Sequence, residues 1–255
     1  MRGVLNNARR EESINMEKLP DSYVVVDLET TGLQPAKDRI LEIGAVKVEK
    51  GVVKDTFSTF INPRMAIPDY IQALTGITQD MVKDAGTAEQ AFYEFLDFCG
   101  DAVLMGHNLM FDYSFLKHQA ANLKIPFERK GLDTLKIARG ILPELESRSL
   151  TSLCEYFQIN REHAHRAFHD ALATHEVYEQ LKAKAGEGQE KLFVPLPLLY
   201  KAKKQGPITN SQKAYLNDLV KYHKISLDVE IDSLTKNEAS RKIDNIISEY
   251  GRIMR

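Results

Sequence analysis

The sequence predicts an α/β domain, a mixed five-stranded sheet with flanking helices, followed by a small C-terminal helical module. Three observations predict it. β-branched runs crowd the first 61 residues, strand and helix patterns alternate through residue 133, and helical spacing dominates from there to residue 185. Strands first, then strands and helices in turn, describe a sheet covered by helices.

Residues 23–28 (YVVVDL) form a run too short for an amphipathic helix and suited to a strand buried on both faces. Residues 40–48 (ILEIGAVKV) and 52–61 (VVKDTFSTFI) follow across a Lys50-Gly51 turn, which makes the opening a meander. Thr87-Ala88-Glu89-Gln90 is a capping box opening a helix through Cys99, and residues 102–105 (AVLM) give a fourth strand. Phe111, Phe115, Leu116 and Leu123 recur at helical spacing before a fifth strand ends near Asp133. Helices are expected over residues 135–141, 150–157 and 167–185, where the breaker Ala185-Gly186-Glu187-Gly188-Gln189 closes the domain. Two further capping boxes, Thr209 to Gln212 and Thr235 to Glu238, each precede an apolar helical pattern. The expected organisation is an N-terminal extension (1–19), a catalytic domain (20–186), a linker (187–207) and a helical module (208–255) for nucleic-acid or partner contact.

Composition narrows the function classes. No apolar run reaches the roughly 18 residues a membrane helix requires, and residues 1–20 lack the apolar core of a secretory signal, so a cytoplasmic protein without membrane contact is expected. Two cysteines, Cys99 and Cys154, are too few for a disulfide framework. Residues 191–255 hold 12 Lys and Arg against 7 Asp and Glu, leaving 22 against 29 for residues 1–190. A basic appendage beside an acidic domain suits a polyanionic substrate, although ordinary solvated surfaces explain the split equally well.

Chemistry concentrates in three stretches: VVVDLETTGL, GHNLMFDYSFL and HRAFHD. Asp27 and Glu29 stand two apart on a strand, so their carboxylates leave the same face of the sheet. Two such carboxylates on an apolar strand are costly unless neutralised, and hard oxygen donors favour magnesium or manganese. Asp112 lies early in a helix, a position the helix dipole favours by itself. His165 and Asp170 are five positions apart, and His165 approaches the cleft that Asp170 faces if it sits at the helix start. His163 and His169 compete for its role.

Taken in order, DxE with Thr30-Thr31-Gly32, HNxxFDxxFL and H-x4-D resemble the DEDDh exonucleases of the ribonuclease H-like superfamily, which includes proofreading subunits of bacterial DNA polymerase III. The resemblance covers residues 20–185, and Leu74-Thr75-Gly76-Ile77-Thr78 is similar to the family's intervening segment. The family's H-x4-D spacing selects His165, and no tyrosine stands before Asp170 to suggest the tyrosine-containing sister class. The resemblance implies two Mg²⁺ or Mn²⁺ ions held by Asp27, Glu29, Asp112 and Asp170, with Asp27 bridging and His165 as general base. It also implies that backbone at Thr30 and Thr31 meets the terminal sugar, that Leu33 and Ile77 wedge against the last bases, and that Asn108 and Phe111 line the substrate side. Helical spacing alone makes Phe111 a core residue.

The expected activity is removal of nucleoside 5′-monophosphates from the 3′ end of single-stranded or frayed DNA, in proofreading or repair. Trimming of RNA 3′ ends is the first alternative, since the same five residues serve both polymers. A polymerase accessory that uses the fold for recognition is the second. Gln189, Leu192 and Phe193 resemble a motif by which bacterial replication proteins dock on the sliding clamp; the competing reading is a linker that packs Leu192 and Phe193 on the domain.

Overall fold

The computed structural model of the chain describes residues 19–161, 165–202, 206–227 and 229–254. Nearly all of the expected N-terminal extension, His163, and Lys203 and Lys204 of the basic stretch lie outside the described residues.

Strand β1 (Tyr23–Thr30) is buried along most of its length, which is why its sequence shows no polar alternation. It pairs antiparallel with β2 (Ile40–Glu49), and β2 pairs antiparallel with β3 (Val52–Phe60), the more exposed edge. Helices α1 (Asp69–Thr75), α2 (Gln79–Val82) and α3 (Ala88–Cys99) follow. Strand β4 (Leu104–Gly106) then pairs parallel with β1, α4 (Met110–Leu123) crosses over, and β5 (Lys130–Asp133) pairs parallel with β4. Helices α5 (Thr134–Ile141), α6 (Leu150–Phe157) and α7 (Ala167–Lys184) close the domain. Thr87 caps α3 as expected, accepting from the Gln90 N–H at 3.2 Å, while the Gln90 side chain turns to Glu94 instead of completing the box.

Alternation of side chains sends β1 into two cores. Tyr23 and Val25 pack with Val46, Met105, Leu153, Val177 and Tyr178 under α5 to α7, whereas Val24, Val26 and Leu28 pack with Phe92, Phe95, Tyr113 and Leu116 under α3 and α4. Asp27 and Glu29 continue the first parity. Their carboxylates therefore leave the sheet on the side covered by α7.

The sheet has six strands, not five, in the order β3-β2-β1-β4-β5-β6. The added β6 (Leu196–Pro197) pairs antiparallel with β5 inside the stretch expected to be a linker. A 3-10 turn over Glu190–Phe193 precedes it, and Phe193 is fully buried, edge-to-face with Tyr178 at 5.8 Å between ring centroids. Leu192 sits against Gly140, and the Gln189 side chain donates to the Gly140 carbonyl at 3.1 Å. All three residues of the clamp-like motif are thus engaged by their own domain, in line with the reading in which Leu192 and Phe193 pack on it. Phe193→Ala is expected to cost about 3–5 kcal/mol in urea unfolding, the usual loss for a buried Phe. A change below about 1 kcal/mol would show that the ring contributes little to this core.

Helices α8 (Asn210–His223) and α9 (Lys236–Tyr250) form the C-terminal module, each opened by a complete capping box at Thr209 and Thr235. Leu216, Leu219, Leu234, Ala239, Ile243 and Ile246 make its core. The module touches the catalytic domain through Arg39–Glu238 at 2.8 Å and through Asn237, which donates to the Ala36 carbonyl at 3.2 Å. Among the described residues, no helix is long and apolar enough to cross a membrane.

Candidate active site

The end of β1 gathers the acidic residues because four elements meet there. Strand pairing sets Asp27 opposite Gly44 and Glu29 opposite Glu42. The backbone N–H of Leu28, between the two acids, donates to Asp112 Oδ1 at 3.0 Å and so ties the first turn of α4 to β1. Helix α7 brings its N-terminus onto the same face. Donor atoms of Glu29, His165 and Asp170 lie within 4.8 Å of one another.

Why α7 begins there is visible in β2. Gly44 has no side chain, and a Cβ at that position would lie 2.1 Å from backbone atoms of Ala167 and Phe168, so the helix start rests directly on the strand. Glu42, buried, accepts from the Ala167 N–H at 3.2 Å and from two nitrogens of Arg166 at 3.0 and 3.1 Å. A carboxylate at a helix N-terminus is favoured by unpaired backbone donors and by the dipole. His165 takes a left-handed backbone conformation with φ 64°, and its N–H points to Asp170 Oδ2 at 3.3 Å. Such a conformation in a non-glycine residue stores strain of the kind found at functional sites.

The electrostatics are those of a site with too few cations. Burial first, then the neighbouring Asp112, Asp170 and Glu29 carboxylates, raises the Asp27 pKa well above the ordinary carboxylate range. Burial raises Asp112 likewise, despite the Leu28 N–H that favours its charged form. Glu29 is pushed from 4.5 to about 8, by burial and then by Asp170 and Glu42. Arg161 offsets part of this charge by gripping both oxygens of Asp170 at 2.7 and 2.6 Å. The donors that remain are hard oxygens, which fit a magnesium- or manganese-sized ion.

A pH prediction follows from Glu29. Below about 4.5 the side chain is protonated in folded and unfolded chains alike; from there to about 8 only the unfolded chain ionises freely, so folding loses stability as pH rises through that window. The melting temperature in EDTA is expected to fall across this range and the gain from added Mg²⁺ to widen with it. Parallel curves with and without Mg²⁺ would disprove the link.

The remaining expected residues are placed unequally. His165 stands at the cluster; His169 packs its ring on Phe168 at 5.2 Å, and His163 lies outside the described residues. Leu33 is 80% exposed. Ile77 is fully buried with Leu41, Ile67, Ile71 and Val82, which corrects its expected role as a wedge. The Thr30 hydroxyl donates to the Gly32 carbonyl and the Thr31 hydroxyl accepts from the Arg39 N–H, so these side chains shape the turn. Asn108 is exposed with φ 65°, its N–H held by Asp133 at 3.0 Å. Phe111 is half-buried against Phe115, combining core packing with a partly open face. Sequence reasoning missed Glu42, Gly44 and Arg161. A charged residue and a glycine inside the apolar run ILEIGAVKV were the available signals for the first two.

Comparison with known proteins places this geometry. The profile of the RNase T exonuclease family matches residues 24–178. The chain is 43% identical over 169 residues to a PolC-type DNA polymerase III of Caldanaerobacter subterraneus, covering 66% of this chain but 12% of that protein. It is 37% identical over 175 residues to the DNA polymerase III epsilon subunit of Aquifex aeolicus, covering 67% of this chain and 87% of that one. Among solved structures, the nuclease domain of the DEDDh enzyme 3′hExo bound to rAMP superposes with a TM-score of 0.57 at 22% identity, over 66% of this chain and 94% of that one. Exonuclease X with 5′-overhanging duplex DNA gives 0.53 at 24% identity, over 67% and 96%. The chain therefore belongs to the RNase T exonuclease family.

Proposed function

We propose that the chain is a divalent-metal-dependent 3′→5′ exonuclease acting on single-stranded or frayed DNA, releasing nucleoside 5′-monophosphates. One observation carries the reading: the Glu29 and Asp170 carboxylates of β1 and α7 lie within 4.8 Å of the His165 ring, and buried Asp27 and Asp112 add negative charge that Arg161 offsets only in part. Asp27, Glu29, Asp112 and Asp170 hold the metal. When bound, a pair of such ions supplies positive charge to the attacking and leaving oxygens of the phosphodiester.

The chain's own groups do the rest. His165, at the cluster and just before α7, takes a proton from the attacking water through a ring nitrogen that lies within 4.8 Å of the Glu29 and Asp170 oxygens. The Leu28 N–H fixes Asp112, and the Glu42–Ala167 contact fixes the helix that carries Asp170. Leu33 presents an apolar surface next to the turn at Thr30 and Thr31, where a terminal base can rest. The likeness to an epsilon subunit and to a segment of a PolC-type DNA polymerase III supports work beside a replicative polymerase.

The test compares matched single-stranded DNA, RNA and mismatched duplex, labelled at either end, with Mg²⁺ or Mn²⁺. Mononucleotides should leave the 3′ end, and EDTA or Asp27→Ala should stop their release. Cleavage that survives either treatment would overturn the mechanism. Faster shortening of RNA would replace DNA as the substrate.

A further inference from the structure

The catalytic domain and the C-terminal module enclose a cleft of about 1060 Å³ whose lining includes Arg39, Arg64, Lys83 and Arg241. A second cleft shares Arg39, Arg64 and Glu238 with it and extends along α4 past Phe115, His118 and Asn122. These α4 residues continue the face that starts at Phe111, one residue before Asp112. The two clefts meet at the shared residues and form one trough, which runs from Phe115 on α4 to α9.

Arg241 is the unusual group in it. Its Nη1 is enclosed with no hydrogen-bond partner among the described residues. The nearby acid is turned elsewhere: Glu238 takes Arg39 at 2.8 Å and the backbone and hydroxyl of Thr235 at 2.8 and 2.7 Å. Burial, and then the like charge of Arg39, work against the Arg241 cation. Arg241 is half-buried and lines the cleft, so the open side of a guanidinium that lacks an acceptor at Nη1 can meet a ligand that brings one, and phosphate oxygens match it well. Arg64 lies beside this point on an exposed loop.

We infer that the trough binds the phosphodiester backbone of the single strand whose 3′ end is being hydrolysed, with Arg64 and Arg241 as phosphate contacts. The inference rests on the exonuclease reading above and adds a second domain to substrate binding. From Asp112 to Asn122, α4 rises about 15 Å, more than one nucleotide of an extended strand spans. The arginines therefore meet nucleotides upstream of the end. An oligonucleotide too short to leave the active site does not reach them.

The experiment measures fluorescence anisotropy of 5′-labelled oligothymidylates of about 12 and about 3 nucleotides. The full chain carries Asp27→Asn to prevent degradation, and Arg64→Gln, Arg241→Gln or both are added. The double variant should bind the longer strand about tenfold more weakly while the shorter strand loses much less, and its log–log salt slope should become shallower by about 1.4, or about 0.7 per lost phosphate contact. Arg64→Gln alone, on its exposed loop, should show half the change in slope whatever Arg241→Gln does to packing. Equal losses at both lengths, or an unchanged slope, would overturn the trough. Strand shortening by the otherwise unaltered chain, measured separately, keeps the two ideas apart: an unresponsive trough beside working 3′ hydrolysis sinks this inference alone, whereas absent hydrolysis sinks the active-site reading and, with it, the identity of the strand in the trough.

Discussion

Asp27→Asn is expected to lower 3′-end hydrolysis by about 1000-fold or more, equivalent to about 4 kcal/mol of transition-state stabilisation, while making the protein in EDTA more stable. The first effect arises because Asp27 is the carboxylate most surrounded by others, with Asp112, Asp170 and Glu29 all acting on it. Asn keeps the shape and removes the anionic donor. The second effect has the same origin. A carboxylate that burial and three like neighbours oppose is a cost to folding, and the amide relieves it by about 1–2 kcal/mol. With Mg²⁺ present the order should reverse, since cation binding stabilises only the chain that keeps its ligands. Thermal unfolding of both proteins in EDTA and in Mg²⁺, beside a gel assay of strand shortening, checks all three statements. Loss of activity together with lower stability in EDTA would mean that Asp27 is a packing residue.

What could be read from the sequence depended on how local its cause was. Asp27 and Glu29 were legible because strand periodicity alone puts them on one face, and the structure extends β1 through both. Both C-terminal capping boxes were legible for the same reason, each being complete within four residues. Asp112 and Asp170 needed the ordered set of motifs, since an acid in a first helical turn has a local explanation of its own. Arg161 could not be anticipated: its partner is nine residues away in sequence, and an arginine in a polar stretch has no periodic signature. Ile77 failed in the opposite direction. Short helices on either side of Gly76 turn its side chain inward, and nothing in Leu-Thr-Gly-Ile tells which apolar residue faces the core. Strand β6 escaped notice because two residues, one of them Pro197, carry no alternation.

Gly44→Ala should be the most damaging single change outside the acidic residues, and it separates placement of the site from chemistry in it. The added methyl would lie 2.1 Å from the Ala167 carbonyl carbon and the Phe168 nitrogen, and neither is a side chain that can rotate away. Restoring ordinary contact near 3.5 Å therefore moves the start of α7 by on the order of 1 Å or bends β2. Overpacking of this kind costs about 1–3 kcal/mol. The helix that moves carries Asp170, follows His165 and is tied to Glu42, so displacement opens the cluster against Glu29 while every ligand is still present. A shift of that size can cost about 100-fold in rate. Gly51→Ala supplies the comparison: it sits in the β2–β3 turn with φ 73° and open space around it, so it strains the backbone and lowers stability by about 1 kcal/mol without touching α7. If loss of activity simply tracked loss of stability, the two variants would fall on one line. Activity lost in Gly44→Ala at a temperature where both proteins are folded, and kept in Gly51→Ala, means that the bare strand at Gly44 sets the distance between Glu29 and the His165–Asp170 pair; comparable activity in both would mean that the helix start can shift without cost to the reaction.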